Sequence, residues 1–354
     1  MNTFGEKFAF TSFGESHGRA IGGVLDGVPA GLHIDLDLIQ RELDCRAGRI
    51  GNKAKGERRE SGVSPRAVRE ADEVEWLSGV IDGVTLGTPI AFIIRNSDAR
   101  PEDYEWLRHT YRIGHADRVY QEKYGIRDHR GGGRASARET AARVVAGSIA
   151  KQILAEKNIH IEAKLVQVGE ETNAERFDAY IAAIQQDGDS IGGIVECRIT
   201  GVPTGVGEPI FDKLQAHLAF AMMSINACKG FEYGSGFEGV NKKGSEMYLS
   251  EDTRLISGGI AGGISDGTPI VFRCVFKPTA SNRKTLEEVF QDSKVSEVQG
   301  FKVGRHDACV AVRAVPVVEA MAAMVLMDFG TVFETEIKES TKTPRTEQNT
   351  GKDN

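Results

Sequence analysis

From Ala137 onward, the apolar residues Ala141, Val144, Val145, Ile149, Ile153 and Leu154 return at three- and four-residue intervals, the spacing that gathers side chains on one face of a helix. Ser136 and Glu139 stand at capping-box spacing ahead of that run, so the pattern predicts a helix that ends near Lys157. Leu214, Leu218, Ala221 and Met222 repeat the spacing and predict a second helix, from around Pro209 to a break at Asn226. A third stretch is apolar almost all round from Pro316 to Met327 and stops before Gly330, which predicts a buried helix. "IVECRIT" alternates instead: Val195, Cys197 and Ile199 face one way and Glu196 and Arg198 the other, as in a strand with one wet face.

One long pattern occurs twice. "LSGVIDGVTLGTPIAFIIRN" from Leu77 and "ISGGIAGGISDGTPIVFRCVFKP" from Ile256 each pass from a hydrophobic-Ser-Gly turn through Gly-Thr-Pro-Ile into a strand-like run. This predicts a duplicated sheet element rather than a solenoid, which needs more copies. No Pro/Ser-rich linker separates the halves, so one intimately built domain is expected over 1–337, ahead of a polar, aperiodic and disordered tail over 338–354.

At 354 residues, with 40% hydrophobic and 27% charged residues, the chain has the makings of an ordinary folded core. The 41 glycines are about 12% of the chain against roughly 7% in average proteins, and they cluster. The five cysteines Cys45, Cys197, Cys228, Cys274 and Cys309 are scattered, which reads as a reduced, cytoplasmic protein without a zinc site. No signal region and no apolar run of about 18 residues points to secretion or membrane insertion. A net charge of −7 speaks against a general nucleic-acid binder.

Candidate chemistry sits in glycine-led turns. "RDHRGGGRASARETAARVV", from Arg127 to Val145, runs three glycines flanked by Arg130 and Arg134 into the capped helix. Free amides at such a helix start suit an anionic, planar group, although glycines serving only a tight turn would look the same. Neither the dinucleotide-binding nor the Walker spacing is present. "TSFGESHGRAIGG" holds Ser16 and His17, "RIGHADRVYQEKYG" holds His115 and Asp117, and "VGRHDACVAVR" holds Arg305, His306, Asp307 and Arg313. A histidine in such a turn is either a surface residue or a proton donor at neutral pH. Between Arg46 and Arg69 stand Arg46, Arg49, Lys53, Lys55, Arg58, Arg59, Arg66 and Arg69 against Glu57 and Glu60. That stretch is a solvated loop, a lid over a multiply charged anion, or an RNA-binding strip, for which it lacks stacking aromatics. Ser16, His17 and Asp117 make no hydrolase triad, since no G-x-S-x-G elbow exists. The histidines offer no compact metal-ligand set.

Six motifs taken together, "FGESHG" (13–18), "GHAD" (114–117), "RGGGRASARET" (130–140), "GGISDGTPI" (262–270), "KPTAS" (277–281) and "GRHDACV" (304–310), resemble the chorismate synthase family, in the family's order and from the N-terminus to about Met327. The resemblance implies an α+β fold, a β-α-α-β layered sandwich with internal duplication, assembled as a homotetramer. It implies a lyase that converts 5-enolpyruvylshikimate 3-phosphate to chorismate and phosphate by 1,4-anti elimination with reduced FMN, NADPH serving at most as an indirect reductant. Carried over, His17 protonates the leaving phosphate, His115 sits by the flavin and supplies its proton, Asp307 takes up the C6 proton, and Ser16 and Ser136 support the hydrogen bonds. Flavin contacts fall on Arg134, Ala135, Ser136, Asn226, Ala227, Gly262, Lys277, Pro278, Thr279, Ala280, Ser281 and Arg305. Arg46 matches the basic loop associated with substrate and nicotinamide, and Arg49, Lys53, Arg58 and Arg59 are expected to extend it. No large insertion supplies a reductase, so an external flavin reductase is expected as partner. The chain departs from the family's Arg-Arg-Arg-Pro-Gly run with "CRAGR", and has Ile113, Ala135 and Ala308 where proline, serine and proline are usual. An ordinary flavin reductase with the same pocket is the rival reading.

Overall fold

The computed structural model of the chain describes residues 1–49, 69–248, 256–285 and 307–330. The expected boundary at 337 and the tail over 338–354 lie outside these residues, as does the whole basic stretch from Lys53 to Arg66.

The N-terminal half runs β1 (Thr3–Phe4), β2 (Ala9–Phe13), β3 (Ala20–Asp26), β4 (Ala30–His33), α1 (Leu36–Arg46), β5 (Val74–Ser78), β6 (Val80–Ile81), β7 (Val84–Leu86), β8 (Ile90–Arg95), α2 (Asp117–Tyr124) and α3 (Thr140–Glu156). The C-terminal half runs β9 (His160–Val168), α4 (Phe177–Gln186), β10 (Gly193–Thr200), α5 (Leu214–Met223), β11 (Cys228–Tyr233), α6 (Gly244–Tyr248), β12 (Ile260–Ala261), β13 (Ile264–Ser265), β14 (Ile270–Phe276) and α7 (Ala311–Asp328).

The two larger sheets are antiparallel, ordered β1-β2-β3-β8-β5 and β11-β14-β10-β9, and two small ones, β4-β7-β6 and β12-β13, accompany them. Set side by side, β2-β3-β8-β5 and β9-β10-β14-β11 match strand for strand. A short hairpin precedes each central strand, β6–β7 before β8 and β12–β13 before β14, and a long helix follows each. The repeated sequence pattern is thus a duplicated structural unit. The alternation behind it is period two: Ile90, Phe92 and Ile94 on β8, and Ile270, Phe272 and Cys274 on β14, are buried, each facing a helix layer. On β10, Val195, Cys197 and Ile199 are buried as the alternation requires.

Between the sheets lie α3 and α7, giving the layers β-α-α-β. The two helices come together at Gly147, where a Cβ would collide with Cα and Cβ of Ala320, so glycine permits an approach that no other residue allows. A buried ion cluster fastens the layers: Glu319 of α7 accepts from Lys151 Nζ of α3 (2.5 Å) and from the backbone N–H of Ala163 on β9 (2.9 Å), and Lys151 also reaches Glu42 of α1 (3.1 Å). With its lone pairs engaged, this carboxylate is tolerated in the apolar core.

Three helix boundaries depart from the periodic pattern. At α3, Ser136 Oγ accepts from Arg138 N (3.2 Å) as expected of a cap, but Glu139 turns to Arg143 (3.0 Å) instead of closing a capping box, and the first turn is 3-10. At α5, helix begins at Leu214 and not Pro209, because Leu214 N bonds Gly263 O (2.8 Å) and Glu208 N bonds Asp212 O (2.9 Å), holding the intervening residues against the β12–β13 hairpin. At α7, helix starts at Ala311, ahead of Pro316. Burial of Ala311, Val312 and Ala314 outweighs the lost hydrogen bond at the proline, a cost of about 3 kcal/mol in a helix interior.

Gly147→Ala forces α3 and α7 apart, a strain of about 1–3 kcal/mol for overpacking. A thermal melt checks it: the midpoint drops by several degrees, and an unchanged midpoint contradicts the close approach.

Candidate active site

A cavity of about 400 Å³ opens where the starts of α3 and α7 meet the turns carrying the glycine motifs. His17, His115 and Asp307, remote in sequence, all line it, with Ser136 and Ala135 at the start of α3, Asn226 and Ala227 ahead of β11, and Lys277, Thr279, Ala280 and Ser281 after β14. Amides at two helix starts and several cationic side chains give the space a positive bias.

His17 sits in a turn closed by Gly18 N bonding Glu15 O (3.0 Å) and is buried, 6% exposed, not a surface turn residue. Its Nδ1 lies 3.1 Å from Ser16 Oγ, and its ring meets Tyr104 edge-on with centroids 4.6 Å apart. The three glycines explain how the ring fits. Gly131 has φ +80° and passes so close to the imidazole that any Cβ would overlap Nδ1 and Cε1. The glycine loop is therefore the wall against which His17 is set.

His115 is held from the other side. Its Nδ1 lies 2.8 Å from Asp117 Oδ1, and Arg112 spans Asp117 with Nε to Oδ2 (2.8 Å) and Nη2 to Oδ1 (2.8 Å). Burial lowers the His115 pKa, an effect that outweighs the pull of Asp117, with Arg112 and Lys277 adding to it. Burial alone would raise the Asp117 pKa; the hydrogen bonds from Arg112 and His115 and the Arg112 charge reverse this and keep it well below the usual carboxylate range. Asp307 accepts from Arg313 Nη1 (2.8 Å). Lys277 Nζ donates to Gly114 O (2.7 Å), and burial, with Lys229 nearby, lowers its pKa.

Two features set the wall beside β11 apart. Asn226 Oδ1 is buried with no hydrogen-bond partner, and Ala227 adopts φ +68°, a left-handed conformation that costs a non-glycine residue of order 1–3 kcal/mol and persists where surroundings enforce it.

Other expected contacts fall elsewhere. Arg134 donates to Gly14 O (2.9 Å) and to Ser12 Oγ, and Arg130 pairs with Asp128 (2.8 Å), so both flanking guanidiniums tie the loop down. Arg46 is fully buried, bonded to Thr140 Oγ1 (2.9 Å) and Ala137 O (2.5 Å) and facing Asp72 (3.5 Å); it joins α1 to the start of α3 and is not on the cavity wall. Gly262 lies on the β12–β13 turn, and neither it nor Pro278 is on the lining. Ser16 supports His17 from behind. Lys53 and Arg305 lie outside the described residues. Sequence reasoning missed Arg112, Tyr104, Glu70, Arg138 and Lys229, all on the lining. Arg138 bonds Asp72 and lies 3.3 Å from Glu70. Burial pushes the Asp72 carboxyl up, but Arg138 and Arg46 beside it leave its pKa lowered. For Arg112 a signal existed, a basic residue three positions before His115.

The family model described as chorismate synthase matches residues 8–330. The chain belongs to the chorismate synthase family. It is 49% identical to the chorismate synthase of Christiangramia forsetii, covering 93% of this chain and 97% of that one, and 47% identical to that of Flavobacterium psychrophilum, covering 93% and 96%. A solved structure titled as a crystal structure of chorismate synthase superposes with a TM-score of 0.69 at 28% identity, over 95% of this chain and 99% of that one. Membership makes the chain a lyase of aromatic biosynthesis with the β-α-α-β fold described above. Among the described residues no helix is long and apolar enough to cross a membrane.

Gly131→Ala displaces His17 by roughly an ångström, a misplacement of the kind that lowers kcat/KM by about 10²-fold while the fold is kept. Steady-state kinetics beside a circular dichroism spectrum check this, and wild-type kcat/KM contradicts the packing described.

Proposed function

We propose that this cavity is where 5-enolpyruvylshikimate 3-phosphate loses phosphate by 1,4-anti elimination to yield chorismate, with reduced FMN bound alongside. The observation that carries the reading is the convergence of His17, His115 and Asp307 on one space from three separate turns. The donor set suits a flavin. Asn226 Oδ1 is a buried acceptor awaiting a donor, Ala227 is held in a strained turn, and the Lys277 ammonium stands at the lining with the 279–281 segment. Asn226, Ala227, Ala135, Ser136, Lys277, Thr279, Ala280 and Ser281 would hold the cofactor. The chemistry that reduced FMN would supply when bound there is a transient electron, returned within a redox-neutral reaction.

The chain's own residues handle protons and charge. His17 gives a proton to the departing phosphate, an acid placed by Ser16, Tyr104 and Gly131. When the Ser16 hydroxyl donates to Nδ1, the acidic proton resides on Nε2. Asp307, steadied by Arg313, accepts the proton lost from C6. His115 attends the flavin. Lys229 and Lys277 stand on the lining with Arg112, Arg138 and Arg313, whose carboxylate partners offset part of their charge, and the cationic excess that is left favours a multiply anionic substrate without reorganisation during the reaction.

We further infer, from the resemblance, a cytoplasmic homotetramer with one domain over 1–337, fed reduced flavin by a separate reductase that uses NADPH. Flavin reduction by NADPH with the purified protein alone would overturn the last point.

An anaerobic assay with 5-enolpyruvylshikimate 3-phosphate and substoichiometric reduced FMN tests the main reading. The expected result is many turnovers per flavin, one phosphate per chorismate, and a drop of about 10²–10⁴-fold in kcat for His17→Ala, the usual worth of a general acid. Stoichiometric consumption of reductant per product would instead establish the flavin reductase.

A further inference from the structure

The hydrogen bonds behind His115 settle which of its ring nitrogens carries the proton. Two groups compete for Nδ1: Arg112 Nη2, at 3.1 Å, and Asp117 Oδ1, at 2.8 Å. Arg112 Nη2 has two hydrogens. One goes to Asp117 Oδ1 (2.8 Å) and the other to Gly131 O (2.9 Å), so the imidazole at 3.1 Å could take only a share of one of them, whereas an unprotonated Nδ1 would set its lone pair against the carboxylate oxygen 2.8 Å away. Nδ1 is then a donor, and Asp117 Oδ1 is its acceptor. The carboxylate is fit for that part. Its other oxygen accepts Arg112 Nε (2.8 Å) and the Arg112 backbone N–H (3.1 Å), and the ensemble is buried. A carboxylate that accepts this many bonds stays ionised and cannot hand a proton back.

We propose that Asp117 is a positioning residue that holds His115 as its Nδ1–H tautomer, so that neutral His115 meets the cavity with Nε2 as a hydrogen-bond acceptor. The consequence is specific. In its resting state His115 receives an N–H or O–H from the bound ligand, and any proton it later gives into the cavity must first be taken up at Nε2. Burial favours the neutral ring, which fits an acceptor at rest. The charged groups acting on the ring are Arg112 and Asp117, from its own turn and the first turn of α2, and Lys277, from the end of β14. Through Gly131 O, the same Arg112 also reaches the loop that walls His17, so one guanidinium sets both histidines. For its consequence in turnover this inference rests on the cavity being the reaction site; the tautomer itself does not.

The test is nitrogen NMR on the ligand-free full-length chain with ¹⁵N-labelled histidine rings, the His115 signal being assigned with His115→Gln. The proposal expects a protonated, pyrrole-type Nδ1 and an unprotonated, pyridine-type Nε2 at neutral pH. In Asp117→Asn the amide donates to Nδ1 and the pattern inverts, with kcat falling roughly 10²-fold or more, since a wrong tautomer disables a positioned imidazole. Asp117→Glu, which keeps the acceptor, restores the wild-type nitrogen pattern. An Nε2–H tautomer in the unsubstituted chain, or a pattern that Asp117→Asn leaves unaltered, overturns the proposal whatever the assay shows. Failure of the unsubstituted chain to form chorismate, with the Nδ1–H pattern present, would strike the reading of the reaction and leave this one standing.

Discussion

The close crossing of α3 and α7, possible because Gly147 offers Ala320 no side chain, is the constraint on which the rest is built. Each helix follows the central strand of its own sheet, so their contact joins the two copies of the duplicated unit into one body. It also decides where the helix starts come to lie. Ser136, Ala137 and Arg138 at one start, and Asp307, Val310 and Arg313 at the other, border the same cavity. A duplication that merely stacked two sheets would have left these groups apart. The Lys151–Glu319 pair works to the same end, since separating the helices would leave a buried charge without its partner, a loss of about 3–5 kcal/mol.

Around the cavity, ionic groups are used in two ways. Some are fully engaged with the protein: Arg46 with Thr140 and Asp72, Arg134 with the backbone near Ser12, Arg112 with Asp117 and Gly131. These fix geometry and contribute field. Others are anchored on one side and border the open space, notably Lys277, through Gly114 O, and the imidazoles of His17 and His115. Pre-set dipoles and charges of this kind stabilise developing charge without rearranging as it forms. The glycine loop belongs to the first group in effect. It contributes no reactive side chain, yet its carbonyl orients Arg112 and its missing Cβ admits His17.

Much of this was legible in the sequence, and what was not had a common cause. Period-two and period-3.6 patterns report which face of an element is buried, so β8, β10, β14 and the body of α3 could be read directly. The turn motifs were readable because a histidine between glycines is a local statement. Residues whose meaning depends on a distant partner were opaque. Arg46 reads as a lid residue beside other cations, but Asp72 and Thr140 draw it into the core. Arg138 drew no notice in the sequence, because its partners Glu70 and Asp72 lie more than sixty residues away along the chain. Pro316 reads as a helix start because local chemistry puts proline there, and only the burial of residues 311–314 carries the helix past it. Glu139 was expected to cap its own helix and instead answers Arg143 one turn on.

The central claim is that one cavity holds substrate and flavin between His17, His115 and Asp307. A crystal structure of the full chain with FMN and 5-enolpyruvylshikimate 3-phosphate tests it most directly. The account predicts the flavin against Asn226–Ala227 and the 277–281 segment, with His115 beside it and the substrate phosphate facing His17. Flavin or phosphate bound away from these residues would contradict it.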